Sequence, residues 1–469
     1  MSSLGIPGLP EPGRRRGGGR AAVRPLAAAA PSVAAVPLAA MALAACAAWG
    51  APLTAQDTVP PGGVRVGITY TPGTRPSLVV ARAGAVAFDS ARAILERDLD
   101  FSDQFEIVVA PRSAGRAGGG GPPDYRVYRA VGADLLVTLV PVEGRPDAVE
   151  VQLHDARRGS LERRTTVTDA GGPGGRWSVH RAADEIVRWV TGRPGSAATR
   201  LLMVRDGRVW RVDSDGSDLA LVPTAGRPAL SPTWSPDGLR IAYTAYVRSG
   251  QPVVIHDLAS GRREVVPTTE GGLNITPEFS RDGSRLAFAH GAEAGMDVYI
   301  YDAARRCCVT RLTVGRFSDN LSPTWSPDGS RIAYISTRAG APQLYWMDSD
   351  GGNPEVLGRF DFGATGQTNG PSWSPDGQAI AFHREVGGTP QLFVLDVATR
   401  AVRQLTGTGR NEDPTWAPDG RHLCFVSTRS GTRQLWVLDV ETGRVRQLTA
   451  AGGARLPAWS PRLASVGGN

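Results

Sequence analysis

One phrase of up to eight residues occurs in six copies in the C-terminal part of the chain, and it limits the possible folds more than any other feature. Its clearest copy is SPTWSPDG at residues 231–238. The aromatic residues that mark the copies are 45, 46, 48, 43 and 43 positions apart. A repeat of about 40–50 residues is typical of the blades of a β-propeller. The marker residues are Trp234, Phe279, Trp325, Trp373, Trp416 and Trp459.

Each period alternates turns with short apolar runs. Ser-Pro-Asp-Gly suits a type I turn, because proline fixes φ at the second position and glycine is favoured at the fourth. In the third copy, apolar runs follow this turn at 331–335 and 343–347, each bounded by turn residues. Four short strands per period, in up-and-down order, predict one blade per copy.

The two ends of the repeat region complement each other. Residues 200–204 and 209–212 have the pattern of second and third strands without a first, and the last copy ends as a first strand at 456–461. Pairing these ends completes a sixth blade and removes open strand edges. The sequence therefore predicts a mainly β fold, with a six-bladed β-propeller at 196–463 and a short tail at 464–469.

A different pattern precedes the repeats. Residues 64–68 and 105–109 read as strands, and apolar residues at helical spacing lie between them at 88–99. A clearer helix is predicted to begin after Ser178 as its N-cap. We therefore predict a small mixed α/β domain over residues 64–195.

The first 55 residues have the composition of an export signal. Five arginines and one acid lie here, and an uncharged, alanine-rich run follows at 25–49. A membrane span is the alternative, because this run is long enough, but three prolines interrupt it. A small-residue cleavage site fits, as does a lipoprotein signal that would acylate Cys46. We predict export to the periplasm, with a mobile segment at 56–63.

The charge balance argues against a nucleic-acid partner. The net charge is +7, but the first 55 residues carry +4 of it, and the remaining +3 is spread over two nearly balanced domains. All 52 cationic residues are arginines, which indicates genome composition more than a ligand. Without a clustered basic patch, neither domain is predicted to bind nucleic acid.

Cysteine usage predicts neither a disulfide nor a metal site. Beyond Cys46 the chain has Cys307, Cys308 and Cys424, without a C-x-x-C spacing. Adjacent cysteines can pair only as a strained ring, so we expect buried or free thiols. No cofactor is predicted.

The phrase WSPDGxRIAY, repeated behind a small α/β domain and an export signal, resembles the TolB family, the periplasmic component of the Tol-Pal system. The likeness runs from about residue 64 to Leu463 and includes the junction at 184–201. Similar blades occur in propellers of peptidase-like proteins. The junction and the domain order make the resemblance more specific than the repeat alone.

The resemblance implies a non-catalytic periplasmic protein, monomeric alone, with two contact surfaces. TolB-like proteins bind the peptidoglycan-associated lipoprotein Pal at the mouth of the propeller channel. They bind the inner-membrane protein TolA through a segment at the mature N-terminus, in a system that supports outer-membrane integrity and constriction at cell division. In this chain the TolA contact would fall on Gln56, Asp57, Thr58 and Val59.

The segments just before each Pro-x-Trp lie at the channel mouth, because this strand is innermost in a blade. In four copies an asparagine stands two or three residues ahead of the proline. We predict a ring of amide groups that binds a partner's backbone, on positions where the family's Pal contact also falls. An ordinary turn role for these asparagines is the alternative. The predicted mouth residues are Asn274, Thr276, Asn320, Leu321, Ser322, Asn369, Asn411 and Asp413.

The other repeated side chains are predicted to be structural. The tryptophans should pack between blades, and the aspartates of the Ser-Pro-Asp-Gly phrases belong to turns. The sequence has neither an H-x-x-x-H pair nor a G-x-S-x-G phrase. The alternative function is an exported propeller enzyme, such as a lyase, a lactonase or a peptidase-related protein, that uses channel carboxylates and a metal.

Overall fold

The computed structural model describes residues 75–110, 122–170, 172, 174–225, 228–268, 272–292, 295–315, 317–358 and 366–463. The predicted export signal, Cys46, the strand predicted at 64–68 and the tail at 464–469 lie outside these residues. None of the described helices is long and apolar enough to cross a membrane.

The first part of the described chain is a small α/β domain. A single 3-10 turn, Val86–Phe88, precedes its first helix. Its elements are β1 (Ser77–Val80), α1 (Asp89–Phe101), β2 (Glu106–Ile107), α2 (Tyr125–Ala130), β3 (Leu135–Val142), β4 (Arg145–Asp155), β5 (Ser160–Val167) and α3 (Gly175–Thr191).

The sheet of this domain has the order β2-β1-β3-β4-β5. Strand β1 pairs in parallel with β2 and β3, whereas β3, β4 and β5 pair antiparallel. Helices α1 and α3 pack together on one face, where Leu95 and Ile186 share a core with Leu78 and Val137. Helix α2 covers part of the other face through Tyr128.

Helix α3 begins earlier than predicted. The sequence predicted Ser178 as the N-cap, but the helix starts at Gly175, and Asp169 Oδ2 accepts a hydrogen bond from the backbone N–H of Gly174 at 3.0 Å. The additional helical turn contains Trp177, which is buried and packs in the core. The polar Ser178 next to it made this segment resemble a helix cap in the sequence. The helix ends at Gly192, whose φ of +72° is the left-handed conformation typical of glycine at a helix C-terminus.

The described residues from Arg200 to Trp459 form six four-stranded antiparallel sheets, which we number as blades 1 to 6 in the order of their inner strands. Blade 6 is assembled from both ends of this region. Its second, third and fourth strands come first in the chain and are β6 (Arg200–Arg205), β7 (Arg208–Asp213) and β8 (Ala220–Leu221). Blade 1 is β9 (Ala229–Trp234), β10 (Arg240–Ala245), β11 (Val253–Asp257) and β12 (Arg263–Val265). Blade 2 is β13 (Leu273–Phe279), β14 (Arg285–Ala292), β15 (Gly295–Asp302) and β16 (Cys307–Arg311).

The remaining blades have the same plan. Blade 3 is β17 (Asn320–Trp325), β18 (Arg331–Ser336), β19 (Gln343–Asp348) and β20 (Glu355–Val356). Blade 4 is β21 (Thr368–Trp373), β22 (Ala379–Val386), β23 (Thr389–Asp396) and β24 (Val402–Gln404). Blade 5 is β25 (Asn411–Trp416), β26 (His422–Ser427), β27 (Gln434–Asp439) and β28 (Val445–Gln447), and β29 (Arg455–Trp459) completes blade 6.

The predicted closure of the ring is observed. Strand β29 pairs antiparallel with β6, in the order β29-β6-β7-β8. Trp459 donates its indole N–H to Thr199 Oγ1 at 2.8 Å, and the backbone N–H of Arg200 donates to Ser460 Oγ at 2.9 Å. The last strand of the chain therefore holds the first strand of the propeller, and six blades form one closed ring.

The repeated phrase folds as predicted. In blade 1, the Ser235 hydroxyl donates to Asp237 Oδ1 at 2.5 Å and accepts a bond from the backbone N–H of Arg240 at 2.9 Å. Ser280, Ser326 and Ser374 make the same pair of contacts in their blades. The five repeated tryptophans are buried at the inner strands, so the aspartates close turns and the indoles fill the core.

The prediction for the adjacent cysteines is wrong. Cys307 and Cys308 form a disulfide at the start of β16, where Cys308 is exposed and has φ +63°. Adjacent side chains of a regular strand point to opposite faces, whereas the left-handed backbone at Cys308 lets the two sulfur atoms meet. Cys424 is a buried free thiol, as expected.

Candidate functional site

The inner strands of the six blades line a central channel with a cavity of about 380 Å³. Each inner strand has a bulge just before its tryptophan or phenylalanine, seen as a shift in its pairing with the second strand. At every bulge the residue before the proline has a left-handed φ of 48° to 58°. We call these residues the mouth ring: Ser231, Thr276, Ser322, Gly370, Asp413 and Leu456.

The mouth ring contains three of the predicted site residues. Thr276 and Ser322 belong to neighbouring blades, and the backbone N–H of Ser322 donates to Thr276 Oγ1 at 3.2 Å. The backbone N–H of Asp413 donates to His383 Nδ1 of blade 4 at 3.1 Å. These contacts cross from blade to blade, so the ring both lines the channel and ties its wall together.

Three of the predicted asparagines lie behind the mouth ring rather than in it. Asn274, Asn320 and Asn411 are at most 2% exposed. Asn320 donates to Asp297 Oδ1 at 2.9 Å and accepts from Arg338 at 3.1 Å. Their amides are thus hydrogen-bonded inside the blades, which is a structural role. The prediction that these three side chains contact a partner stays a prediction.

Asn411 makes the same kinds of hydrogen bonds in blade 5 as Asn320 makes in blade 3. Asn411 donates to Gln391 Oε1 at 2.8 Å and accepts from Arg429 at 3.1 Å. Asn274 makes a comparable set, donating to the carbonyl of Gln251 at 3.0 Å. Each asparagine joins the start of its inner strand to a neighbouring strand or loop.

Asn369 and Leu321 stand one residue nearer the proline than those asparagines. Asn369 is partly exposed and lines the channel, while Thr368 takes the buried position. Leu321 is half-buried and packs against the core shared by blades 3 and 4. An asparagine three residues before the proline is therefore buried, and one two residues before it faces the channel.

Glu278, which is not among the predicted site residues, lies in the channel wall. Glu278 Oε1 accepts hydrogen bonds from the Thr324 hydroxyl at 2.8 Å and from the backbone N–H of Trp325 at 3.1 Å. Burial raises the pKa of Glu278 to about 7, against these two bonds, which lower it. The sequence did distinguish this residue. Between the proline and the aromatic residue, four other copies have serine or threonine and one has alanine, so a glutamate there is exceptional.

A second carboxyl, Asp413, faces the same channel. Burial raises the pKa of Asp413, although the nearby imidazole of His383 opposes the shift. Burial lowers the pKa of His383, which fits the acceptor role that its Nδ1 plays towards the N–H of Asp413.

An exposed apolar residue stands beside this mouth. Phe317 is 98% exposed, and it lies in the loop that leads from β16 into β17. Val314 in the same loop is 77% exposed. The sequence contains one indication of this exposed residue, because Phe317 is an aromatic residue in a segment that differs from copy to copy. Phe317, Asn369 and the mouth ring together form what we call the mouth face.

The α/β domain packs on the opposite side of the propeller. Asp103, just after α1, contacts His422 and Arg444 of blade 5 at 3.2 and 2.8 Å. Arg97 and Arg176 pair with Asp215 of blade 6. Asp419, in the turn between β25 and β26, also bonds His422. This domain therefore packs on the turn ends of blades 5 and 6, and its contacts lie away from the mouth face.

Two groups of three side chains could approach one metal ion, and both lie at this domain junction rather than in the described channel wall. Arginines already hold their carboxylates, because Arg97 and Arg176 pair with Asp215, and Arg421 pairs with Asp439. The donor sets therefore fit ion pairs better than a metal. The groups are Asp98, His180 and Asp215, and Asp103, His422 and Asp439.

The predicted N-terminal contact residues lie outside the described part of the chain. These residues are Gln56, Asp57, Thr58 and Val59.

The chain matches known proteins over its propeller. A family model described as the TolB beta propeller domain matches residues 187–362 and 361–466. Proteins named Tol-Pal system protein TolB from Albidiferax ferrireducens and Aromatoleum aromaticum are both 34% identical to it, over 194 and 195 residues. These matches cover 38% and 39% of this chain and 43% of each relative, so the chain spans less than half the length of these relatives.

A solved structure extends the fold comparison beyond the propeller. TolB from Acinetobacter baumannii superposes with a TM-score of 0.71 over 83% of this chain and 97% of that chain, at 24% identity. At this identity the match shows a shared fold.

Proposed function

Because this chain belongs to the TolB β-propeller family, we propose that it is a non-catalytic, exported scaffold of a Tol-Pal-like envelope complex. The match of the family model to the propeller carries this proposal. The relatives' name, Tol-Pal system protein TolB, supplies the system, and the export signal predicted in the first 55 residues supplies the route to the periplasm. In this role the protein supports outer-membrane integrity and constriction at cell division.

The mouth face is our proposed contact for a Pal-like peptidoglycan-associated lipoprotein. It combines the exposed ring of Phe317 with partly exposed polar groups at Asn369, Thr276 and Asp413. Protein interfaces draw most of their binding energy from a few aromatic anchors within a polar surround. The α/β domain lies on the other side, so a partner can reach this face without moving that domain.

Binding by calorimetry tests this contact. The full chain is titrated with the soluble domain of the Pal-like protein from the same genome. We expect Phe317→Ser to weaken binding about tenfold or more, as loss of an interface anchor does, and Asn369→Ala to weaken it less. Leu239→Ser is the matched control, because Leu239 is 58% exposed at a turn on the opposite side.

Two failures of this experiment have different meanings. Absence of binding by the unaltered chain would overturn the Tol-Pal assignment of the partner. Binding that is the same for the unaltered chain, Phe317→Ser and Asn369→Ala would leave the assignment in place and move the contact away from the mouth face.

The segment at 56–63 is our proposed contact for a TolA-like inner-membrane protein. Its position directly after the export signal, together with the family resemblance, supports this proposal. Deletion of residues 56–63 should abolish binding of the TolA-like domain and leave binding of the Pal-like domain unchanged. Equal TolA binding before and after the deletion would place that contact elsewhere.

The channel carboxyls Glu278 and Asp413 are the observation that favours a second candidate, an exported propeller enzyme. Glu278 is engaged by Thr324 and Trp325, as a wall-forming residue would be. Metal analysis of the purified chain separates the candidates, since the scaffold is expected to hold no stoichiometric transition metal. A tightly held metal in the channel would favour the enzyme.

A further inference from the structure

Blade 2 has one residue more than blades 1, 4 and 5 at the start of its outer strand, and that residue is Cys308. In blade 1, β11 and β12 pair without a shift, and the Asp257 N–H then bonds the Arg262 carbonyl. The pairings of β23 with β24 and of β27 with β28 are also regular. In blade 2, Tyr301 pairs with Val309 but Asp302 pairs with Cys307. Cys308 is thus a bulge residue without a partner across the ladder.

The inserted residue carries an exposed disulfide. Cys308 is exposed and its disulfide partner, Cys307, is partly exposed. Strand β16 is the outermost strand of its sheet, so its far edge faces away from the blade. Cys424 offers a comparison within the same chain, because it is 0% exposed and burial raises the pKa of its thiol. An exposed sulfur exchanges readily, whereas a buried one is inert.

A role in stability does not explain this disulfide. A disulfide stabilises a fold mainly by closing a loop in the unfolded chain, and one between adjacent residues closes almost none. The left-handed φ of Cys308 is also unfavourable for a residue with a side chain. The equivalent turns of blades 1, 4 and 5 form without it. The bulge therefore adds a disulfide to a kind of turn that forms in blades 1, 4 and 5 without a disulfide.

We propose that Cys307–Cys308 is a reversible redox site that exchanges two electrons with a dithiol at the outer edge of blade 2. A thiolate of the dithiol attacks Sγ of the exposed Cys308, the S–S bond breaks, and Cys307 leaves as a thiolate that takes a proton from water. The second thiol of the donor then attacks the mixed disulfide and releases Cys308. The donor ends as a disulfide and the pair as two thiols, and a disulfide oxidant reverses the exchange. This site is independent of the proposed partner contacts.

Alkylation of the native full chain tests the proposal. The protein is produced in an oxidising compartment and treated with iodoacetamide before and after brief exposure to dithiothreitol, and the products are located by mass spectrometry. We expect no label at Cys307 and Cys308 before reduction and two labels after it, with Cys424 unlabelled until the protein is unfolded. Re-oxidation with a soluble disulfide should remove the reactivity of the pair.

Three results would overturn the proposal. Two labels before reduction would show that the pair is not joined, and none after reduction would show that dithiols do not reach it. Loss of the melting transition on native reduction would make the disulfide structural. As variants, Cys307→Ser with Cys308→Ser, and Cys307→Ser with deletion of Cys308, should melt like the unaltered chain and take up no label at these positions. Deletion of Cys308 gives blade 2 the same regular strand pairing that blade 1 has.

Discussion

His422 of blade 5 lies within hydrogen-bonding distance of Asp103, which is 319 positions away in the chain: its Nε2 is 3.2 Å from Asp103 Oδ2. Its other nitrogen, Nδ1, is 2.6 Å from Asp419 Oδ2. Burial alone would lower the pKa of His422, but the two carboxylates outweigh it and raise the pKa to about 9. The α/β domain is thus held to the propeller partly through a buried imidazolium ion.

This arrangement predicts a loss of stability in mild alkali. A histidine whose pKa is raised by folding contributes its full stability below its ordinary value of 6.5 and loses it as the pH rises through about 9. The urea midpoint should therefore fall between these two pH values. In His422→Gln it should be lower than in the unaltered chain below pH 6.5 and vary less with pH. A midpoint that is equally pH-dependent in both proteins would assign the effect to other groups.

A second prediction concerns the linker between α3 and β6. Asp184 accepts hydrogen bonds from the backbone N–H groups of Ala197 and Ala198 at 2.7 and 3.0 Å. A Cβ on Gly195 would lie 2.3 Å from Asp184 Oδ1 and 2.8 Å from its Cα. Gly195→Ala should lower the free energy of unfolding by about 1–3 kcal/mol, as overpacking of a buried contact does.

Gly407→Ala is the matched control for that change. Apart from Gly407 itself and its two chain neighbours, no described residue has an atom within 4 Å of a Cβ built at this exposed glycine. Urea unfolding should therefore differ from that of the unaltered chain by less than about 0.5 kcal/mol. If both alanine variants unfold alike, the contact between Gly195 and Asp184 is not under the inferred constraint.

The blades were predictable because their signals are local and repeated. Ser235 and Asp237 close a turn within one phrase, and the same phrase marks the other blades, so the period alone gives their number. The depth of a side chain was not predictable in the same way. Asn320 and Asn369 both precede a proline, yet a difference of one residue decides which is buried, because successive side chains of a strand point to opposite faces.

Contacts between distant segments were beyond the reach of a single sequence. Nothing near Asp103 indicates that it meets His422, since the pairing depends on where α1 lies against blade 5. The bulge at Cys308 was hidden for a related reason. Its presence depends on the pairing of β15 with β16, and a count of residues between turns does not reveal which residue is left unpaired.

Closure of the ring gives a third prediction. A chain that ends at Gly452 lacks β29, so β6 becomes an open edge and Thr199 loses its bond from Trp459. We expect the melting temperature to fall sharply, because removal of one buried tryptophan already costs about 3–5 kcal/mol. A chain that ends at Leu463 is the control, since it keeps β29 and should melt like the full chain. Equal melting of the two truncated chains would contradict the closure.

The last prediction concerns the channel carboxyl. Burial raises the pKa of Glu278 from 4.5 to about 7, so the folded state binds a proton that the unfolded state has released between these values. This contribution to stability is fully present below pH 4.5 and is lost as the pH rises through about 7. A glutamine side chain at this position is neutral throughout, and its carbonyl can still accept a bond from Thr324. Glu278→Gln should therefore stabilise the fold by about 1–3 kcal/mol above pH 7 and change it little below pH 4.5.

Urea unfolding above and below this range measures the effect. Glu143→Gln, at an exposed position beyond the end of β3, removes a carboxylate of the same size and is expected to change the unfolding free energy little at either pH. A destabilised Glu278→Gln above pH 7 would show that the ionised carboxylate is preferred by its hydrogen bonds from Thr324 and Trp325. In that case the charge of Glu278 is a stabilising part of the channel wall at neutral pH, and the prediction that burial dominates is wrong.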